Sequence, residues 1–245
     1  MTVDELVAYV FGATPSDLAT RCAGWATASR RFRAFAESNR DKLRKKVRSA
    51  RDGAARLDLE AEVGTAFRLV RERRFGVTWE PPAPTGGRGP DFAVDFTTRL
   101  RFYVEVTRPR LGAGAGAAPA LAPPADPAGG PADGPAAPAR LAAAVCAKLG
   151  QLAPGAINVL VLAGPDVRTA DATQAMADLK RRAGSRDEAF FARRGFASGR
   201  AFTAAAHRLS AIQLPDGPPA AGLWLNPEAS HPLPSALRTA LESWR

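Results

Sequence analysis

The chain has little sulfur, little imidazole and little lysine: two cysteines, two histidines and five lysines among 245 residues. Cys22 and Cys146 lie far apart and read as two free thiols rather than a disulfide framework. With four scattered Cys and His in all, no zinc site is expected, so any bound metal is expected to have oxygen ligands. No run of eighteen apolar residues occurs, which excludes a membrane span of the usual length. The first residues carry no basic-then-apolar leader, so a cytoplasmic protein is expected.

Positive charge is abundant. The formal net charge is +10 and the pI is near 10.7, a balance that favours polyanionic partners. Arginine outnumbers lysine 29 to 5, a bias that GC-rich coding produces whatever the function. Distribution therefore says more than total. Ten basic residues face two acidic ones, Glu37 and Asp41, between Arg30 and Arg51, and the remainder of the chain carries only +2.

The first 58 residues read as helices. Ser16 or Asp17 is a plausible N-cap in "TPSDLATRC", and "SNRDKLRKKVRSARDGAARL" sets Leu43, Val47 and Ala50 as a narrow apolar stripe on a cationic cylinder. A stronger helix follows over 58–74, with Leu59, Val63, Phe67 and Val70 at helical spacing. Then the period changes to two. "FGVTWEP", "DFAVDF" and "LRFYVEVT" read as strands, the last two paired through "TTR". On the third strand Tyr103, Glu105 and Thr107 share one face. Residues 111–139 are Ala, Pro and Gly with almost no large side chain, which predicts a disordered insertion in a surface loop. A helix with Leu141, Val145 and Leu152 on one stripe comes next, then "INVLVLAG", the continuous apolar run of a buried strand. A polar helix over 172–182, a poorly patterned basic stretch, a helix near 204–208, two strands ("LSAIQL", "GLWLN") and a terminal helix complete the reading. The domains expected are an N-terminal helical region over 1–55 and a core over 56–245 that the insertion interrupts.

Helix, three strands, helix, strand predicts an α/β fold with a mixed central sheet. This order, with Glu62 on the first helix, "GPD" ending at Asp91 and "VEVT" carrying Glu105, resembles the PD-(D/E)XK nuclease superfamily. The run "RDKLRKKVR…DLEAEVGTAF…RRFGVTWEP…RGPDFAVDF…VEVTR" is similar to a set of uncharacterised bacterial proteins on that restriction-endonuclease-like fold. The resemblance spans about residues 40–110 and 140–165. It implies a nuclease that hydrolyses phosphodiester bonds with Mg²⁺ or Mn²⁺. Asp91 and Glu105 are then the metal ligands, and Glu62, preferred to Glu60, is an auxiliary ligand or base.

Those hard cations take oxygen ligands, acidify water and neutralise phosphate charge. Facing positions on paired strands lie about 5 Å apart, close enough to share an ion. The plainer reading is a strand-end Asp that caps its turn and a Glu paired with an Arg. Two residues after Glu105 the superfamily has a lysine, and here Thr107 stands. Lys148, on the apolar stripe of the following helix, is the candidate replacement, against a lysine that merely snorkels to solvent. Gln151, one turn on, is a candidate contact to substrate or water. Asp95 is expected to be solvated or salt-bridged.

Lys42, Arg44, Lys45, Lys46, Arg48 and Arg51 form the expected nucleic-acid face, neutralising phosphates without reading sequence. Set against this is an ordinary solvated helix. The expected partner is nucleic acid, DNA ahead of RNA, with no membrane; a homodimer is compatible with the resemblance. The alternative function is a catalytically inactive binding or protein-interaction module.

Overall fold

A computed structural model describes residues 1–12, 16–82, 89–98, 100–109, 137–164, 167–216 and 222–244. The protein is of the mixed α/β class, and among the described residues no helix is long and apolar enough to cross a membrane. The chain divides into two compact units, Met1–Thr107 with Trp244–Arg245, and Arg108–Ser243.

The first unit opens with four helices: α1 (Val3–Phe11), α2 (Asp17–Ala28), α3 (Arg30–Ser38) and α4 (Arg40–Ser49). The long α5 (Gly53–Arg71) and strands β1 (Phe75–Trp79), β2 (Phe92–Phe96) and β3 (Leu100–Thr107) follow. Side-chain caps set the helix starts. Ser16 accepts from Ala19 N–H and Ser29 from Phe32 N–H, each satisfying a donor the helix leaves unmade. Asp52 accepts from Ala55 N–H at 2.7 Å, and this cap starts α5 five residues earlier than apolar spacing predicts. The basic stretch before it is therefore broken at 50–52 into α4 and α5 rather than continuous to 57. The expected boundary at 55/56 falls inside α5, and the helices before it belong to the same compact unit as the strands.

The three strands form an antiparallel meander with Trp79 opposite Phe92 and Phe92 opposite Val104. Leu59, Val63, Ala66 and Leu69 of α5 are buried, and α5 packs on β1 and β3. One face of the meander, Phe75, Phe92, Val94, Phe102 and Val104, is almost completely withdrawn from water. Burial of large apolar groups at about 25 cal/mol per Å² is the main force holding these layers. The Arg31 guanidinium joins α3 to the α5–β1 turn, donating to the carbonyls of Glu72 and Phe75 at 2.8 and 2.9 Å.

The second unit holds α6 (Ala137–Leu149), β4 (Ile157–Leu162), α7 (Thr169–Gly184), α8 (Glu188–Ala192), α9 (Gly199–Ala206), β5 (Ala211–Gln213), β6 (Leu223–Leu225) and α10 (Ser235–Glu242). β4 runs parallel to β5, and β5 antiparallel to β6, so this sheet is mixed. Every residue of β4 is buried, as its unbroken apolar sequence predicts. Leu141, Val145 and Leu149 of α6 pack with Met176 and Leu179 of α7 and with Phe191, Phe202 and Leu160. The expected insertion lies outside the described residues up to 136, and its last three residues are the first turn of α6. The helix expected near 204–208 is α9, which starts at Gly199, where Ser198 caps it.

Each unit contains one buried free thiol, Cys22 in α2 and Cys146 in α6. Burial pushes both up to about 12.

Glu72, at the end of α5, is clamped by Arg74, whose backbone N–H and Nε both donate to Oε1 at 3.0 and 2.9 Å. The Arg74 side-chain bond, ahead of its backbone bond and charge, holds the Glu72 carboxyl at about 2, against an ordinary 4.5. A depressed carboxylate adds stability that is present above its unfolded value and lost as pH falls through its folded one. Glu72→Gln is therefore expected to cost about 1 kcal/mol at pH 7. In denaturant titrations at a series of pH values, that cost should shrink between pH 4.5 and 2. A cost independent of pH would assign the effect to packing.

Candidate functional site

The register of β2 and β3 pairs Phe92 with Val104. Continued by one residue, it sets Asp91 opposite Glu105, on the face that Tyr103 and Thr107 share. Both carboxylates are buried, Glu105 at 2% exposure and Asp91 at 9%. Val106 N–H donates to Asp91 Oδ2 at 2.7 Å, so Asp91 also caps the end of the strand pair. The two readings of Asp91, cap and potential ligand, thus coincide in one side chain. On its other side the Asp91 carbonyl accepts from Glu80 N–H at 2.8 Å.

Glu80 follows β1 with φ at +47°, a backbone region that costs a non-glycine residue roughly 1 kcal/mol. Its carboxylate meets two lysines of α4, Lys46 Nζ at 2.6 Å and Lys42 Nζ at 3.7 Å. Lys42 also donates to the Trp79 carbonyl at 2.7 Å.

Glu62 comes to the same end of the meander from α5. Lys46 Nζ donates to both of its oxygens, at 2.7 and 2.8 Å, and Trp79 Nε1 donates to Oε1. The ammonium groups of Lys42 and Lys46 lie 5.6 and 5.3 Å from the centre of the Trp79 ring, within range of cation–π attraction. Burial raises the Glu62 pKa, the Lys46 charge and hydrogen bond oppose that, and the negative charge of Asp91 raises it further. The three carboxylates of the expected site are therefore neighbours in a chemical sense: Glu62 feels Asp91, and Asp91 faces Glu105. Lys46 is raised as well. Burial works against its charge, but Glu62 and Glu80 together outweigh that, so it is a cation at neutral pH.

Among the described residues no group of three or more His, Cys, Asp or Glu side chains is arranged to hold a metal ion. Both oxygens of Glu62 accept from Lys46, so in this arrangement it is the counter-ion of that ammonium. Asp91 and Glu105 remain as an all-oxygen pair, the donor chemistry that suits Mg²⁺ or Mn²⁺. Glu60 is bound to Arg21 at 3.0 Å, away from this group. Asp95 is salt-bridged to Arg101, with bonds of 2.7 and 3.0 Å.

The expected nucleic-acid face divides. Lys42 and Lys46 turn toward the strand end. Arg44 lies 4.5 Å over the Tyr9 ring, while the Tyr9 hydroxyl donates to Asp41. Lys45, Arg48 and Arg51 are exposed. Lys148 is half-buried on α6 in the second unit and donates to Gln151 Oε1 at 3.3 Å. Sequence reading missed Trp79 and Glu80 as members of the site and took Lys46 for a surface cation. The available signal was the i, i+4 spacing of Lys42 and Lys46, which puts two of the chain's five lysines on one helix face.

Comparison of the chain with family models, curated proteins and solved structures finds no match.

Lys46→Met strands a buried carboxylate and is expected to cost 1–3 kcal/mol, roughly the penalty for a buried group left without its partner. Lys46→Met with Glu62→Gln should recover part of that loss in a double-mutant cycle of denaturant midpoints. A group whose folded pKa is raised gives stability below its unfolded value and loses it as pH rises through the folded one. Without Lys46 the Glu62 pKa rises further, so the cost should be greater at pH 7 than at pH 4. Additive single effects would show that the two side chains do not act as a pair.

Proposed function

We propose that the chain is a metal-dependent nuclease of restriction-endonuclease-like architecture. It hydrolyses phosphodiester bonds of nucleic acid, DNA ahead of RNA, with Mg²⁺ or Mn²⁺ held by Asp91 and Glu105. The observation that carries this reading is the pair itself. Asp91 and Glu105 are both buried at the end of neighbouring strands, facing one another when the register is carried one residue past Phe92 and Val104, and Glu62 is close enough to sense Asp91. Paired carboxylates are the all-oxygen donor set that Mg²⁺ and Mn²⁺ take. The element order α5, β1, β2, β3, α6, β4 also supports it.

The ion, when bound, supplies Lewis acidity for phosphoryl transfer. The residues around it divide the remaining work. Asp91 and Glu105 fix its position, with Asp91 itself aligned by the Val106 N–H. Lys46 brings a permanent positive charge to the strand end, where the charge of a scissile phosphate would build, and Glu62 with Trp79 holds that charge in place. Thr107 shares the face of Glu105 and offers a hydroxyl that can orient water. Lys148 is retained as a second cationic candidate.

A second reading, a binding module without catalysis, has its own supporting observation: Lys46 and Glu62 satisfy one another, and Thr107 stands where the superfamily carries lysine.

The test is a cleavage assay on plasmid, linear duplex, single-stranded DNA and RNA, with Mn²⁺ and with EDTA. Wild type should cut in Mn²⁺ alone. Asp91→Ala and Glu105→Gln should lose at least about 100-fold, and Lys46→Met about 10–100-fold, as expected for loss of one charge that stabilises the transition state. Lys148→Ala, assayed beside Lys46→Met, ranks the two lysines. If wild type cuts none of the four substrates, the catalytic reading fails and the binding module replaces it.

A further inference from the structure

The second unit has its own concentration of positive charge. Eight basic side chains face three acidic ones between Asp178 and Arg208. Their placement matters more than their number. The end of α7, the short α8 and the start of α9 meet at Gly199, where an added Cβ would lie 3.4 Å from the Ala183 backbone and 3.6 Å from the Phe191 ring. Arginines project from all three elements around this junction: Arg182 from α7, Arg186 from the α7–α8 turn, Arg193 and Arg194 just after α8, and Arg200 from α9.

The acidic groups nearby are committed to the fold. Asp178 pairs with Arg181 within α7. Asp187 caps α8 through Phe190 N–H and takes one bond from Arg182 at 2.7 Å. Glu188 accepts from Gly199 N–H at 2.9 Å and so pins the start of α9. Arg186, Arg193 and Arg200 are exposed and form no ion pair among the described residues. Arg194 is held by an aromatic ring instead of a carboxylate. Its guanidinium lies 3.5 Å from the centre of the Phe190 ring, Arg182 shares that ring at 4.4 Å, and the Arg194 Nε is buried without an acceptor. Burial lowers the Arg194 pKa, and the charges of Arg193 and Arg182 lower it further. Arg186 has φ at +56°, a left-handed conformation that glycine or asparagine adopts more cheaply. A surface that collects like charges, spends its carboxylates on caps and keeps an arginine in a strained turn is built for an external anion.

We propose that the junction of α7, α8 and α9 is a binding surface for the phosphodiester backbone of nucleic acid, with Arg186, Arg193 and Arg200 as its contact residues. Three exposed guanidinium groups spread over the α7–α8 turn, the end of α8 and the start of α9 suit a chain of phosphates better than one small anion, because each contact neutralises a separate charge and releases a counterion. The binding is independent of whether the Asp91 and Glu105 pair cuts.

The experiment measures binding of the full chain to a fluorescent single-stranded DNA and to a duplex, in EDTA, across a range of salt. Wild type should bind in EDTA, with no divalent cation present, which separates this surface from the catalytic reading. Arg186→Gln, Arg193→Gln and Arg200→Gln together should weaken binding at least about 10-fold and reduce the salt slope for single strands by about 2, three contacts at ~0.7 each. All three residues are exposed, so the melting temperature should be unchanged, and a Cys146 that stays unreactive would verify the fold of the unit. Unchanged affinity and slope in the triple variant would overturn the proposal. So would a loss seen instead only in Lys45→Gln, Arg48→Gln, Arg51→Gln, which would move the surface to α4. Retention of wild type by heparin but by neither oligonucleotide would overturn it in favour of another polyanion.

Discussion

A carboxylate withdrawn from water must be met by a donor or a cation, and the end of the β1–β3 meander is organised by that demand. Asp91 takes the Val106 N–H, Glu62 takes the Trp79 indole and both contacts from Lys46, and the exposed Glu80 completes the group by pairing with the lysines of α4. Each bond also joins two elements. The Lys46 ammonium ties α4 to α5 and to the residue after β1, so helices that read in sequence as an appendage are fastened to the strands by charge. Replacing such a pair with apolar groups often costs nothing, whereas removing one partner costs several kcal/mol. The stability of this region and the chemistry available to it therefore depend on the same few atoms.

That dependence shows where the sequence was legible. Period-two alternation located the second and third strands of the meander, and the predicted face shared by Tyr103, Glu105 and Thr107 follows from the observed register. The apolar run of β4 and the stripe of Leu141 and Val145 needed no tertiary information. Asp91 and Glu105 could be paired because a hairpin register is arithmetic once the strands are known. Lys46 could not. Its helix looks like a cationic cylinder, and nothing in a one-dimensional charge count says which lysine bends back toward a carboxylate sixteen positions later. The break at Asp52 was hidden for a related reason: one cap bond decides it, while the helix-forming residues on either side suggest continuity.

The arginines show a different limit. In sequence the stretch around Phe190 looked poorly patterned, because α8 has five residues and the charges belong to three elements. Only their convergence at Gly199 makes them a surface. The densest basic run, Arg30–Arg51, is partly consumed by internal bonds, to Glu62, Glu80, the Trp79 carbonyl and the Tyr9 ring. Positive charge that is conspicuous in the sequence thus serves the fold in part, while the less conspicuous Arg186, Arg193 and Arg200 are exposed.

The two buried thiols have a use of their own. A cysteine whose thiol is pushed up to about 12 has almost no thiolate at neutral pH, so a soluble alkylating reagent reacts with it only when the surrounding packing opens. Because Cys22 reports from α2 and Cys146 from α6, and each belongs to a different compact unit, their labelling rates form a pair of internal clocks. Mass spectrometry of the two peptides would show whether the units open together or separately, without any added probe.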